Sequence, residues 1–160
     1  MQAVQILCVG KLKEKFYTDA CAEYQKRLSR FCRLTITELS EERLGDDPSP
    51  AQVGQALDRE ADAIRAKLPR GGALIAMCIE GRELSSPQLA DAMQRYADIG
   101  VSQLTFLIGG SFGLSERLKA EADLRLSMSP MTFPHHLARV MLLEQIYRAY
   151  QIQNGAKYHK

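Results

Sequence analysis

The sequence predicts one α/β domain in which a mostly parallel sheet lies between layers of helices. Three observations carry this. Five short apolar runs alternate along the chain with five stretches of helical periodicity. Gly, Pro and Ser mark most of the joins between them. The 160 residues, 46% hydrophobic and 25% charged, suit a single globular domain, 1–160, that buries its own core. No internal repeat and no low-complexity linker divides the chain.

Each element has its own reason. Ala3 to Val9 is apolar and β-branched and stops at Gly10, as a buried strand does. Phe16, Ala20, Tyr24, Leu28 and Phe31 then recur on one helical face. Leu34 to Leu39 alternates and predicts a second strand. Glu41 to Pro50 is charged, holds a glycine and two prolines, and predicts a mobile loop. Ser49-Pro50 places a cap before a proline at the first helical position. Val53, Leu57, Ala61, Ile64 and Leu68 line the helix that follows, and Pro69 to Gly72 end it. Ala73 to Ile79 predicts a third strand. Ser86-Pro87 repeats the cap signal ahead of Leu89, Met93, Tyr96 and Ala97. Leu104 to Ile108 predicts a fourth strand, and Gly109 to Gly113 a tight loop. Ser115 to Ala122 predicts a short charged helix, Leu124 to Ser127 a short strand, and Pro134 to Gln153 a long helix.

Composition narrows the function classes. The apolar content excludes a disordered chain. The uncharged stretch from Gly100 up to Glu116 is too short to span a bilayer. The opening residues lack the basic lead and cleavage site of a secretory signal, so a cytoplasmic protein without membrane association is expected. Cys8, Cys21, Cys32 and Cys78 form no CxxC or CxxH pair, so reduced thiols and no metal site are expected. Net charge is only +2, but residues 1–33 carry seven Lys/Arg against three Asp/Glu, and residues 134–160 carry four against one. Basic ends can meet phosphate if the fold joins them, or can be solvated helix faces.

In parallel sheets ligands bind beyond the carboxyl ends of the strands. That rule selects Met77 to Gly81, Gly109 to Gly113 and Met128 to Pro134. The Gly109-Gly110-x-x-Gly113 loop follows a strand and opens a helix. It suits close approach of backbone to a ligand, or a plain strand-to-helix turn. It lacks the Lys of a phosphate-binding loop, and its spacing is not that of a dinucleotide fingerprint. Leu126 to Pro134 is uncharged for nine residues, which predicts a segment folded into the interior. His135 opens the last helix, where the helix dipole favours a neutral imidazole able to accept a proton.

The residues Phe106-Leu107-Ile108-Gly109-Gly110-x-x-Gly113-Leu114, then Leu126-Ser127-x-Ser129-x-Met131-Thr132-Phe133-Pro134-His135, then Arg139, Glu144-Gln145-x-Tyr147-Arg148-Ala149 and Tyr158-His159, carry a resemblance. The chain resembles the ribosomal RNA large subunit methyltransferase H family, small enzymes of the SPOUT class. The likeness covers the whole chain and is densest from Leu104 onward.

The resemblance implies methyl transfer from S-adenosylmethionine to N3 of a pseudouridine in helix 69 of 23S rRNA on the assembled ribosome. It implies a homodimer and a C-terminal trefoil knot. It assigns the cofactor to Met77, Cys78, Gly109, Gly110, Met128, Ser129, Pro130, Met131, Thr132, Phe133 and Pro134. His135 and His159 are candidates for the base that takes the N3 proton. Arg139 and Arg148 are the candidate cations, the first catalytic and the second toward substrate. Tyr158 and Lys160 are candidate substrate contacts in a tail expected to be flexible without RNA. The family tail usually continues Tyr-His with Arg or Glu, whereas Lys160 stands here and lacks Arg's bidentate geometry. Apolar residues on more than one face of the last helix, Leu137 to Tyr150, also point to a homodimer. A non-catalytic RNA- or ribosome-binding α/β protein, or a module that binds nucleotide phosphates, would use the same loops differently.

Overall fold

The computed structural model describes residues 1–159. Strands and helices alternate without exception: β1 Gln2–Val9, α1 Lys15–Leu28, β2 Cys32–Leu39, α2 Pro50–Lys67, β3 Ala73–Glu83, α3 Ser86–Asp98, β4 Gln103–Ile108, α4 Glu116–Glu121, β5 Leu124–Ser127 and α5 His135–Gln153. The five strands form one sheet in the order β2-β1-β4-β3-β5. Every ladder in it is parallel, so the sheet goes beyond the mostly parallel one expected.

The period-2 alternation of each strand sorts the core into two halves. Val4, Ile6 and Cys8 of β1, with Leu104, Phe106 and Ile108 of β4, face α1, α3 and α5. Leu7, Val9, Ala76 and Leu107 face the opposite way, against Ala61 and Ile64 of α2 and Leu118 of α4. The result is three layers with the sheet in the middle.

Helix α2 starts at Ser49 as expected. The Ser49 side chain accepts from the Gln52 N–H, and the Gln52 side chain accepts from the Ser49 N–H. The cap of α3 is Ser85, one residue before the expected Ser86. Ser85 and Gln88 repeat the same reciprocal pair, and Ser86-Pro87 fall in the first helical turn. Strand β3 runs four residues past the expected Ile79. Met77 and Arg82 both lie opposite Leu126, so residues 78–81 form an irregular excursion between two paired stretches. A Cβ at Gly81 would stand 2.8 Å from the Arg125 carbonyl carbon, so the two backbones meet only because that residue is glycine.

The 41–49 loop is tied down at its start, contrary to the mobility its composition suggests. The Glu42 N–H donates to the Glu60 carboxylate at 2.8 Å, and Arg59 pairs with the Glu42 side chain at 3.1 Å. Glu60 is buried, and burial raises its pKa, with Glu41 and Glu42 adding to the rise and the Glu42 N–H opposing it. Helix α5 has no exposed residue. It lies over the sheet with α1 on one flank and α3 on the other. Those neighbours account for much of its apolar character on several faces. Among the described residues, no helix is long and apolar enough to cross a membrane.

Candidate functional site

Because every strand runs the same way, the three selected segments share one edge of the sheet. Gly109 to Gly113 forms a tight turn in which the Gly113 N–H donates to the Gly110 carbonyl at 3.1 Å. A Cβ at Gly109 would collide with the Gly113 backbone, and one at Gly110 would stand 2.5 Å from Glu41 Oε1. Gly109 is therefore required by the turn, whereas a side chain at Gly110 would have to push aside the Glu41 carboxylate. Ser111 N–H donates to Glu41 Oε1 at 2.7 Å.

The segment after β5 is not folded into the interior. Pro130, Met131, Thr132 and Pro134 are exposed, Met131 by 71%. Its backbone is shaped by serines: Ser127 Oγ donates to the Ser129 carbonyl, and the Met131 N–H donates to Ser129 Oγ at 3.0 Å. The chain must climb from the sheet edge to the α5 layer here, and a single copy leaves the outer side chains uncovered. Met77 and Met128 open onto a cavity of about 410 Å³ whose lining includes Leu126, Ser127, Met141 and Glu144. Gly109 and Gly110 lie outside that lining. Cys78 is half-buried, and burial raises its thiol pKa; Cys8 is pushed up to about 12 by the same cause. Neither is primed as a thiolate nucleophile.

A second group gathers at the start of α5. His135 packs against Gly10, where a Cβ would lie 3.0 Å from Cε1 of its ring. His135 and His136 rings are 4.1 Å apart, and His136 Nδ1 lies 3.8 Å from Glu14. Burial lowers the pKa of His135, His136 and Arg139 add to that, and Glu41 opposes it. The downward direction is the one the helix start suggested, but its first cause is burial rather than the helix dipole. Arg139 is 2% exposed. It donates to Glu38 at 2.8 Å and to the Gly10 carbonyl at 3.2 Å, while its Nε has no partner. Burial raises the pKa of Glu38, but Arg139, the Leu12 N–H and Lys11 outweigh it and hold the carboxyl below the usual range. Arg139 thus ties α5 to the ends of β1 and β2.

The third group is the tail. Tyr158 is not free: its hydroxyl donates to Glu144 at 3.1 Å, its ring meets Tyr147 edge-on at 5.0 Å, and the Arg148 guanidinium lies 4.7 Å over it. Arg148 pairs with Glu144 at 2.8 Å and reaches His159 Nδ1 at 3.3 Å. The structure therefore brings Arg148, Tyr158 and His159 together, and His135 with Arg139. It does not join the two groups. His135 and Arg148 sit 13 residues apart on α5, roughly 20 Å along the helix at about 1.5 Å per residue. Lys160 lies outside the described residues. Glu38 and Glu41 are functional candidates that sequence reasoning missed; their partners lie 101 and 70 residues away, with no local pattern to signal them. Among the described residues no cluster of His, Cys, Asp or Glu could hold a metal ion.

The family model described as "Predicted SPOUT methyltransferase" matches residues 1–159. The chain is 45% identical over 157 residues to the ribosomal RNA large subunit methyltransferase H of Streptococcus equi subsp. zooepidemicus, covering 98% of this chain and 99% of that one. It is 46% identical over 157 residues to the protein of the same name from Clostridioides difficile, with the same coverage. Among solved structures, it matches a methyltransferase from Legionella pneumophila in complex with bound S-adenosylmethionine at a TM-score of 0.52. That match is 13% identical and covers 95% of this chain and 66% of the other, so it bears on fold alone.

Proposed function

Because the chain belongs to the SPOUT methyltransferase family, we propose that it methylates large-subunit ribosomal RNA, at N3 of a pseudouridine in helix 69, on the assembled ribosome. The observation that carries this is the 45% identity, over nearly the whole of both chains, to enzymes named for that subunit. The cofactor is S-adenosylmethionine, whose sulfonium supplies an activated methyl group when bound. The residues present suit it. A cavity of about 410 Å³ falls in the range of small-molecule sites, roughly 300–1,000 Å³. Met77, Leu126 and Met128 give it apolar walls, and Ser127 and Glu144 give it polar groups. The Gly109–Gly113 turn and the 130–134 segment stand at the same carboxyl end of the sheet.

The chain's own residues then have three tasks. The loops would hold the cofactor, and fixed orientation of reactants can lower a barrier by about 7–11 kcal/mol at best. Burial lowers the pKa of His135, which favours the neutral imidazole that can accept the N3 proton. Arg148, Tyr158 and His159 present a cation, an aromatic face and a second imidazole to the RNA. A net charge of +2 favours a structured ribosomal surface over indiscriminate phosphate binding.

The reading includes a homodimer and the family's C-terminal trefoil knot. Phe16, Ile79, Phe112 and Met131 are exposed near the functional edge, an apolar rim that a second copy would cover. In this reading His159 of one copy serves the His135 end of the other, since the two groups stand apart within a single chain. Incubating the protein with labelled S-adenosylmethionine and ribosomes that lack the modification should place one methyl on helix 69, located by mass spectrometry of the digested RNA. Label on another RNA segment would overturn the target. Ribosome binding with no cofactor binding would overturn the enzyme and favour a non-catalytic ribosome-binding role.

A further inference from the structure

We propose that Glu41 is a positioning residue that holds the Gly109–Gly113 loop in its ligand-ready shape by accepting the Ser111 N–H. This rests on the methyl-transfer reading, since the loop's ligand is taken to be S-adenosylmethionine.

The loop has little to fix it from within. One backbone bond, Gly113 N–H to the Gly110 carbonyl, closes it, and Gly113 stands at φ +80°. The Phe112 side chain is half exposed. The outside restraint is the Glu41 carboxylate, which crosses from the β2–α2 connection to a loop 70 residues further on and accepts Ser111 N–H at 2.7 Å. A carboxylate bond to a backbone N–H is charge-assisted and stronger than a neutral one. The carboxylate also lies over Gly110, with room there for a hydrogen and nothing larger.

Glu41 is itself held in place. Its neighbour Glu42 is anchored twice to α2, through its N–H to buried Glu60 and through its side chain to Arg59. Glu60 sits inside the helix with a raised pKa, which is costly unless its acceptor is used, and the Glu42 N–H uses it. A chain of contacts thus runs from α2 through Glu60, Glu42 and Glu41 to Ser111. It turns the acidic loop from a linker into a brace on the glycine turn. Glu41 also contributes to the charge environment of His135, so the brace spans two of the groups assigned to the site.

The test is calorimetry with S-adenosylmethionine on wild type, Glu41→Ala and Glu41→Gln, with hydrogen exchange of the Ser111 amide measured on each. Glu41→Ala should weaken binding about tenfold, the equivalent of one lost charge-assisted hydrogen bond. It should also speed Ser111 exchange, with global unfolding little changed. Glu41→Gln keeps an acceptor oxygen and should return binding to within about threefold of wild type. Equal affinity for wild type and Glu41→Ala, or a glutamine variant as weak as the alanine one, would overturn the proposal. If Glu41→Ala does not fold, Glu41→Asp tests the same brace, because its carboxylate is one methylene short of the Ser111 N–H, and it should weaken binding and speed Ser111 exchange. Absence of binding by wild type would instead sink the methyltransferase reading, and Ser111 exchange would still decide whether Glu41 holds the loop.

Discussion

Glu38 and Arg139 are 101 residues apart in sequence and 2.8 Å apart in space. Their costs of removal should differ. Glu38→Ala leaves an almost fully buried guanidinium with only the Gly10 carbonyl, and should destabilise by about 3 kcal/mol. Arg139→Met leaves a carboxylate that water can reach, and should cost about half as much. Urea denaturation of both variants checks the order, and the reverse order would contradict the burial argument. His135 gives a pH prediction. Its folded pKa lies below the ordinary 6.5, so below about that pH the unfolded chain binds more protons than the folded one. Its contribution is fully present above 6.5 and is lost as pH falls through the folded value. Denaturation midpoints at pH 7.5 and 5.5 should therefore fall less for His135→Gln than for wild type. His135 could be singled out in the sequence by its place after Pro134 and before a helical run. Glu38 and Glu41 could not, because a carboxylate's partner across a sheet edge leaves no mark on its neighbours in the chain.

Elements were legible where burial imposes a period. All five strands and five helices occur in the order that β-branched runs and helical spacing predict, with bounds that differ by up to a few residues. Boundaries failed where pairing overrode composition. Residues 80–83 are Glu-Gly-Arg-Glu, which reads as a turn, yet Arg82 and Glu83 pair with β5. The segment after β5 failed for the opposite reason: its apolar side chains suggested an interior, but a sheet edge in a single copy has nothing to bury them against. Two glycines test the distinction between freedom and necessity. Gly54, exposed in α2 with nothing within 4 Å of a Cβ, should gain about 0.5–1 kcal/mol as Ala. Gly81→Ala should cost at least as much as Gly54→Ala gains, because β5 must move. Thermal unfolding of the two variants should shift in opposite directions.

At the scale of the whole molecule, the tail and the helix start stand apart within one chain, and the proposed dimer is what would join them. Deleting Tyr158 to Lys160 should leave S-adenosylmethionine affinity nearly unchanged and lower methyl transfer to ribosomes about tenfold or more. Sedimentation should find twice the 17.9 kDa chain mass at micromolar concentration; a stable monomer would remove the support for a shared site. Composition and periodicity reached the layers and the strand direction, but a two-copy site depends on a surface, which they do not describe. The strand order has a consequence in time. β1 is an interior strand of the sheet, between β2 and β4. As the chain is synthesised, β2 follows β1 closely, but roughly 70 further residues separate the end of β2 from the end of β4. At about 5–20 residues per second, the inner edge of β1 waits on the order of 10 s for its partner. Throughout that wait the nascent chain carries an open apolar strand edge, so chaperone dependence and losses to aggregation should concentrate before β4 emerges.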